Sequence, residues 1–432
     1  MSGYKRIKPW GVGRAWRRSP LTLLQSWRKS SDAPLLFKLH GEHYLLCRHQ
    51  ELNPMIDRET QSEIDARGPS LHATMGRRTC DESIIREVRL GEWLPLLQRF
   101  LSVTVTPLLE RAEVQSLNPV DFIEAPFTWT LAHHLFGVDV RKAHTERAAQ
   151  LLKFFSFLEA TFDRSESRVN AKISTSIWHQ RRLRKLYRAV GSLQGVFSHL
   201  SSEVGLHLVC ALIEWKRQVT DTVIWLLIYL ERQPKIANQI FVELSDHLSA
   251  RSYQAEDLAS LPSLHKVILE TLRVAPPHWI THWGEVSAMI SEEVSCERFS
   301  LLPPQTQLIS SPFLDHRESE EWPSPSSFLP HRFLAVAHGA PLPSSYLPLG
   351  PGQVGRVRLE LVLHTTAAIA ATLLRRGHVK IAQSEDDMVR AIPEGEADAF
   401  FERNTGASFG KPNLTIHFHT DERYIHIPSA RI

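Results

Sequence analysis

Apolar positions recur at helical spacing through most of this chain, with short alternating runs near both ends. The run from Leu35 to Leu46 (LLFKLHGEHYLL) alternates around Gly41 and predicts a hairpin. Helical spacing predicts helices over Leu94 to Arg111, Thr145 to Thr161, Trp178 to Leu200 and about Gly205 to Arg232. The last would be about 40 Å long, enough to cross a whole domain, and Pro234 would end it. A further helix closes near Arg273. Strands are expected around Thr281 to Ile290 and Glu297 to Ile309, then a proline-rich irregular run to Phe333. LTIHFHTDERYIHI, Leu414 to Ile427, reads as a closing hairpin. Residues near 384–411 are polar, carry glycine and show no period, which predicts a loop insertion.

Composition narrows the class. The chain has 432 residues, 43% of them hydrophobic, and can bury a large core. A formal charge of +3 with no concentrated basic face argues against a nucleic-acid binder. Cys47, Cys80, Cys210 and Cys296 show no paired spacing, which points to a reducing compartment and a cytoplasmic protein. The longest apolar run, Val223 to Leu230, is far short of the roughly 20 residues of a membrane span. KRIKPWGVGRAWRRSP near the start is basic and bears tryptophan, and residues 1–30 are expected to form a solvated leader ahead of one large domain, 31–432.

The stretch YLPLGPGQVGRVRLELVLHTTAAIAATLLRR, Tyr346 to Arg376, resembles the heme-binding loop and following helix of the cytochrome P450 monooxygenases. That loop runs F-x-x-G-x-R-x-C-x-G into a long apolar helix. Here Leu349 takes the phenylalanine's place; Gly350 and Gly352 are kept in the loop. Val354 stands for the arginine, Arg356 for the thiolate cysteine and Arg358 for the last glycine.

Two more signatures extend the resemblance. Glu270 and Arg273 in LHKVILETLRVAPP look like the family's E-x-x-R helix, and FLPHRF, Phe328 to Phe333, looks like its arginine loop, with Arg332 lying 24 positions before Arg356. The resemblance implies a buried cluster of Glu270, Arg273 and Arg332, a carboxylate held between two guanidinium forks that supports the fold without doing chemistry. It also implies the fold: mainly α with small β-sheets, a single large α+β domain.

At the chemistry-bearing positions the chain departs from the family. Its oxygen-activation pattern, A-G-x-D/E-T, falls on Glu214, Trp215, Lys216, Arg217 and Gln218 when counted back from Pro234. Tryptophan in place of glycine would project into the porphyrin's space, and a glutamine amide does not titrate as a proton relay must. Trp283 stands where a basic residue would pair with a heme propionate. The early stretch from Leu71 carries Arg77, Arg78 and Arg86 but no tryptophan and arginine four apart; Trp93 has Leu97 at that spacing. Guanidinium offers no lone pair, so Arg356 cannot replace a thiolate, and His364 lies eight residues further along the helix.

These losses lead to the expectation of a degenerate heme site, no metal and no cofactor. The chain would be a pseudoenzyme acting as a non-catalytic auxiliary or binding partner, for instance of a biosynthetic transferase in a bacterial secondary-metabolite pathway. The alternative is a heme-binding oxidoreductase of monooxygenase type with an unusual or absent proximal ligand. An anion-binding module is the third reading, because Lys216, Arg217, Arg356 and Arg358 would converge near one emptied pocket.

Overall fold

The computed structural model describes residues 4–7, 12, 15, 20–39, 41–52, 90–105, 115–117, 120–136, 151, 155–156, 202–248, 251–277, 280–286, 302–350, 352–375, 378–382 and 415–419. The helices expected over Thr145 to Thr161 and Trp178 to Leu200, the 384–411 insertion and the early arginine stretch fall wholly or largely outside them.

A five-stranded mixed sheet forms one side of the protein. β1 (Lys5–Arg6) leads through α1 (Pro20–Lys29) to the hairpin β2 (Leu35–Leu39) and β3 (Glu42–Leu46). The predicted hairpin is present, with Gly41 at φ +94° in its turn and pairing from Leu35 opposite Leu46 to Leu39 opposite Glu42. Parts of the N-terminal segment are integral to this layer. Lys5 and Arg6 pair parallel to Leu35 and Leu36, Leu24 is fully buried, and Trp27 tilts onto Phe37 at 4.9 Å.

Helices build the other side. α2 (Leu90–Thr104) is followed by β4 (Gln115–Leu117), a π-helical turn at Val120–Glu124 and α3 (Ala125–Phe136). The long helix α4 (Ser202–Arg232) runs as its apolar spacing predicts; its second half is buried on nearly every side, as for a core helix that is apolar all round. α5 (Pro234–Leu248) and α6 (Pro262–Val274) follow. The sheet is completed by β5 (Thr281–Glu285) and β6 (Gln307–Ser310), giving the order β1-β2-β3-β6-β5. Both strands are shorter than their apolar runs suggested.

α7 (Gly352–Leu374) packs on α2, α4 and α6. Its Ala367, Ala368, Ala370 and Ala371 are buried, and their small side chains let neighbouring backbones approach. With α2, α3 and α4 it forms a four-helix core. β7 (His378–Ala382) and β8 (Thr415–His419) pair with β4 in a second, antiparallel sheet of order β4-β8-β7. The start of the expected closing hairpin is thus a strand, but its described partners are β4 and β7, both distant in sequence. Fold class is as the resemblance implied: mainly α with small sheets. Among the described residues one helical segment, Gly355–Leu374, is long and apolar enough to cross a membrane, and it is mostly buried within the protein.

Candidate functional site

The scaffold around the glycine loop is held by one buried carboxylate. Arg273 donates Nε to Glu270 Oε2 and Nη2 to Oε1, both at 2.8 Å, from the same face of α6. Its remaining N–H groups reach the irregular run, Nη1 to the carbonyls of His316 and Pro325 and Nη2 to that of Ser327. The Leu329 N–H also donates to Glu270 Oε1 at 2.7 Å. Arg332 approaches that oxygen only at 3.5 Å, and its Nη2 turns away to the Ser324 carbonyl. The cluster therefore forms, with one bidentate fork and one looser cation instead of two forks.

Two aromatic residues complete this support. His316, fully buried, accepts from the Leu347 N–H at Nε2 and lies with Nδ1 3.1 Å from the Arg273 carbonyl, which fixes the Nδ1–H tautomer. Burial, and then the nearby Arg273 charge, push its pKa down to about 3. Tyr346 stacks on His316 at 5.4 Å and donates to the Leu269 carbonyl. Together they tie α6 to the approach of the glycine loop. Sequence reasoning passed over His316, because nothing local distinguishes a buried neutral histidine from a surface one.

The loop itself turns at Gly350, φ +96°, and enters α7 at Gly352. A Cβ at Gly355 would lie 2.1 Å from the Gly350 carbonyl oxygen, so only glycine permits this closure. Val354 lies in the first turn of α7, its side chain outside the described residues. Arg356 is exposed. Arg358, two residues on and so about 200° around the helix, is 5% exposed, and its Nη1 is buried without a hydrogen-bond partner.

The four cations expected near one pocket are dispersed. Lys216 faces α3, 3.6 Å from Glu124 and 3.4 Å from the Thr128 hydroxyl. Arg217 is half-buried, and Arg356 and Arg358 point to different sides of α7. Trp215 does not stand free in a cavity: its ring is 4.6 Å from Trp93 of α2 and 5.0 Å from Phe127 of α3. Gln218 is buried, and the Glu214 side chain lies outside the described residues.

Trp283 sits at a register irregularity between His282 and Gly284 in β5, where a bulge re-aims the side chain. It stacks on His49 at 5.6 Å and donates its indole N–H to the Ser310 hydroxyl, within a small cluster that includes Leu36, Leu45, Cys47 and Leu308. His364 is engaged by the Tyr253 hydroxyl at 2.9 Å. An acid and threonine in sequence do occur on α4, Asp221 and Thr222, four residues beyond the counted register and both buried. Four residues is close to one helical turn, so they share a face with Arg217 and Gln218.

The comparisons with known proteins agree with this scaffold. The family model described as Cytochrome P450 matches residues 219–354. The chain is 26% identical over 302 residues to a cyclooctat-9-en-7-ol 5-monooxygenase of Streptomyces melanosporofaciens, covering 67% of this chain and 64% of that one. It is 26% identical over 186 residues to a pentalenene oxygenase of Streptomyces avermitilis (43% and 40%). It is 28% identical over 187 residues to a rat steroid 17-alpha-hydroxylase/17,20 lyase (42% and 34%). The chain thus spans from about a third to just under two thirds of these relatives' lengths. The crystal structure of CYP175A1 from Thermus thermophillus superposes with a TM-score of 0.58 at 17% identity, covering 88% of this chain and 93% of that one. The family model, the relatives and the shared fold support placement in the cytochrome P450 superfamily.

This placement corrects the expectation of a chain without a cofactor. The family and these relatives are heme-dependent monooxygenases, and substitutions in one loop do not show that the cofactor is gone. At the position that the resemblance gives to the cysteine, Arg356 in the second turn of α7 exposes a guanidinium with no lone pair to give, and Cys47, a free thiol, is buried in the sheet layer. Among the described residues no group of three His, Cys, Asp or Glu is placed to hold a metal ion. The residues present at this loop do not fit an iron held by thiolate.

Proposed function

We propose that this chain is a cytochrome P450-like protein in which thiolate-driven monooxygenase chemistry is lost and the retained scaffold serves binding, as an auxiliary to a biosynthetic enzyme such as a transferase in a bacterial secondary-metabolite pathway. The observation that carries the reading is the exposed Arg356, in the second turn of α7 at the position that the resemblance gives to the ligand, beside a glycine loop whose supports, Glu270, Arg273, His316 and Tyr346, are intact. Loss of the thiolate is separable from loss of heme, and both can be measured. The full chain loaded with heme is compared with its Arg356→Cys variant by carbon-monoxide difference spectroscopy. The expected result is a thiolate-type band in the variant alone; the same band in the parent chain would sink the proposal. Co-purification with a transferase tests the partner, and a chain that changes no partner's solubility or rate counts against it.

A second reading, a heme-binding oxidoreductase with an unusual or absent proximal ligand, is favoured by the buried Asp221 and Thr222 on α4 and by relatives named as oxygenases. Stoichiometric heme together with oxidation of a terpene substrate by the parent chain supports it over the first.

A further inference from the structure

We propose that Arg358 and the first turn of α7 form a binding site for an oxyanion, a carboxylate or phosphate group. Three cations are buried among the described residues: Lys216, Arg273 and Arg358. Lys216 has Glu124 and Thr128, and Arg273 has Glu270 and three carbonyls. Arg358 has its Nη1 buried with no acceptor. Leaving a buried charge uncompensated is strongly unfavourable, so this position calls for an anion that the described side chains do not supply.

The helix points the same way. Arg358 lies six residues after Gly352, where α7 begins. Cα–Cβ bonds tilt toward a helix's N-terminus, and a long side chain therefore lies over the preceding turn. There the first backbone N–H groups have no acceptor within the helix, and the macrodipole is positive. The proposed site joins two kinds of donor, a guanidinium fork from one side and helix N–H groups from the end, the combination that suits a planar carboxylate or a phosphate. Exposed Arg356, about 200° away around the helix, lies outside the site.

The site needs only the geometry of α7 and is independent of the thiolate reading. Its test is titration calorimetry of the full chain with inorganic phosphate and, separately, with acetate, each at constant ionic strength against chloride. Saturable binding is expected. Arg358→Met should weaken it about tenfold to a hundredfold, the loss of one charge-assisted pair, while Arg356→Gln leaves it in place. Binding of phosphate alone assigns a phosphate ester as the natural group; binding of acetate assigns a carboxylate. Absence of saturable binding to the parent chain overturns the site, and so does an Arg358→Met protein that binds as the parent does. Should that variant fail to fold, thermal unfolding of the parent decides: a midpoint no higher in phosphate than in chloride overturns the proposal.

Discussion

Arg273 places two N–H groups on the two carboxylate oxygens of Glu270, each at 2.8 Å, and neither side chain exposes any surface. The pair joins α6 to the run that carries Arg332 and, through His316 and Tyr346, to the glycine loop. Replacing Glu270 by Gln removes the charge and leaves Arg273 buried among carbonyls alone. We expect a loss of about 3–5 kcal/mol, measured by denaturant unfolding.

Acid should destabilise the protein below about pH 6.5. Burial pushes His316 down to about 3, with the Arg273 charge adding to it, and pushes His49 and His265 down to about 4. Above pH 6.5 these rings are neutral in both folded and unfolded chains and contribute no pH dependence. As pH falls below 6.5 only the unfolded chain takes up their protons, so stability drops by at most about 1.4 kcal/mol per pH unit for each ring, down to their folded-state values. Unfolding curves between pH 7.5 and 5 should show this slope, and His316→Asn should flatten it. An unchanged slope in the variant would remove His316 from the account.

Gly355→Ala forces a Cβ to within 2.1 Å of the Gly350 oxygen, and the loop must move. A cost of about 1–3 kcal/mol or more is expected. Gly91→Ala is the control: nothing lies within 4 Å of its Cβ position, and alanine near the start of α2 should be neutral or stabilising. Thermal unfolding of both variants separates close approach from loss of backbone freedom.

Trp215→Ala removes an indole packed between Trp93 and Phe127 and should cost about 3–5 kcal/mol, because the four-helix core cannot collapse fully around the gap. If Trp215 instead filled an empty cofactor space, truncation would cost little and would raise heme uptake. Denaturant unfolding and a heme titration of the variant read both outcomes.

The sequence determined much of this protein by itself. Apolar spacing gave the long helix, the hairpin at Gly41 and the helix ending near Arg273, since these elements answer to local periodicity and to single breakers such as Pro234. Letters at fixed spacing marked Glu270, Arg273 and Arg332, and showed that position 356 holds no thiolate, a fact of composition that folding cannot change. Tertiary structure decided where those side chains stand. It placed Trp215 in the helical core and Trp283 in the sheet, paired β8 with strands far away in the sequence, buried His316 as a neutral bridge, and set Arg358 inward while Arg356 faces out. Each of these depends on which neighbour, often more than a hundred residues distant, fills the adjoining space. Burial and charge pairing are properties of that neighbour as much as of the residue.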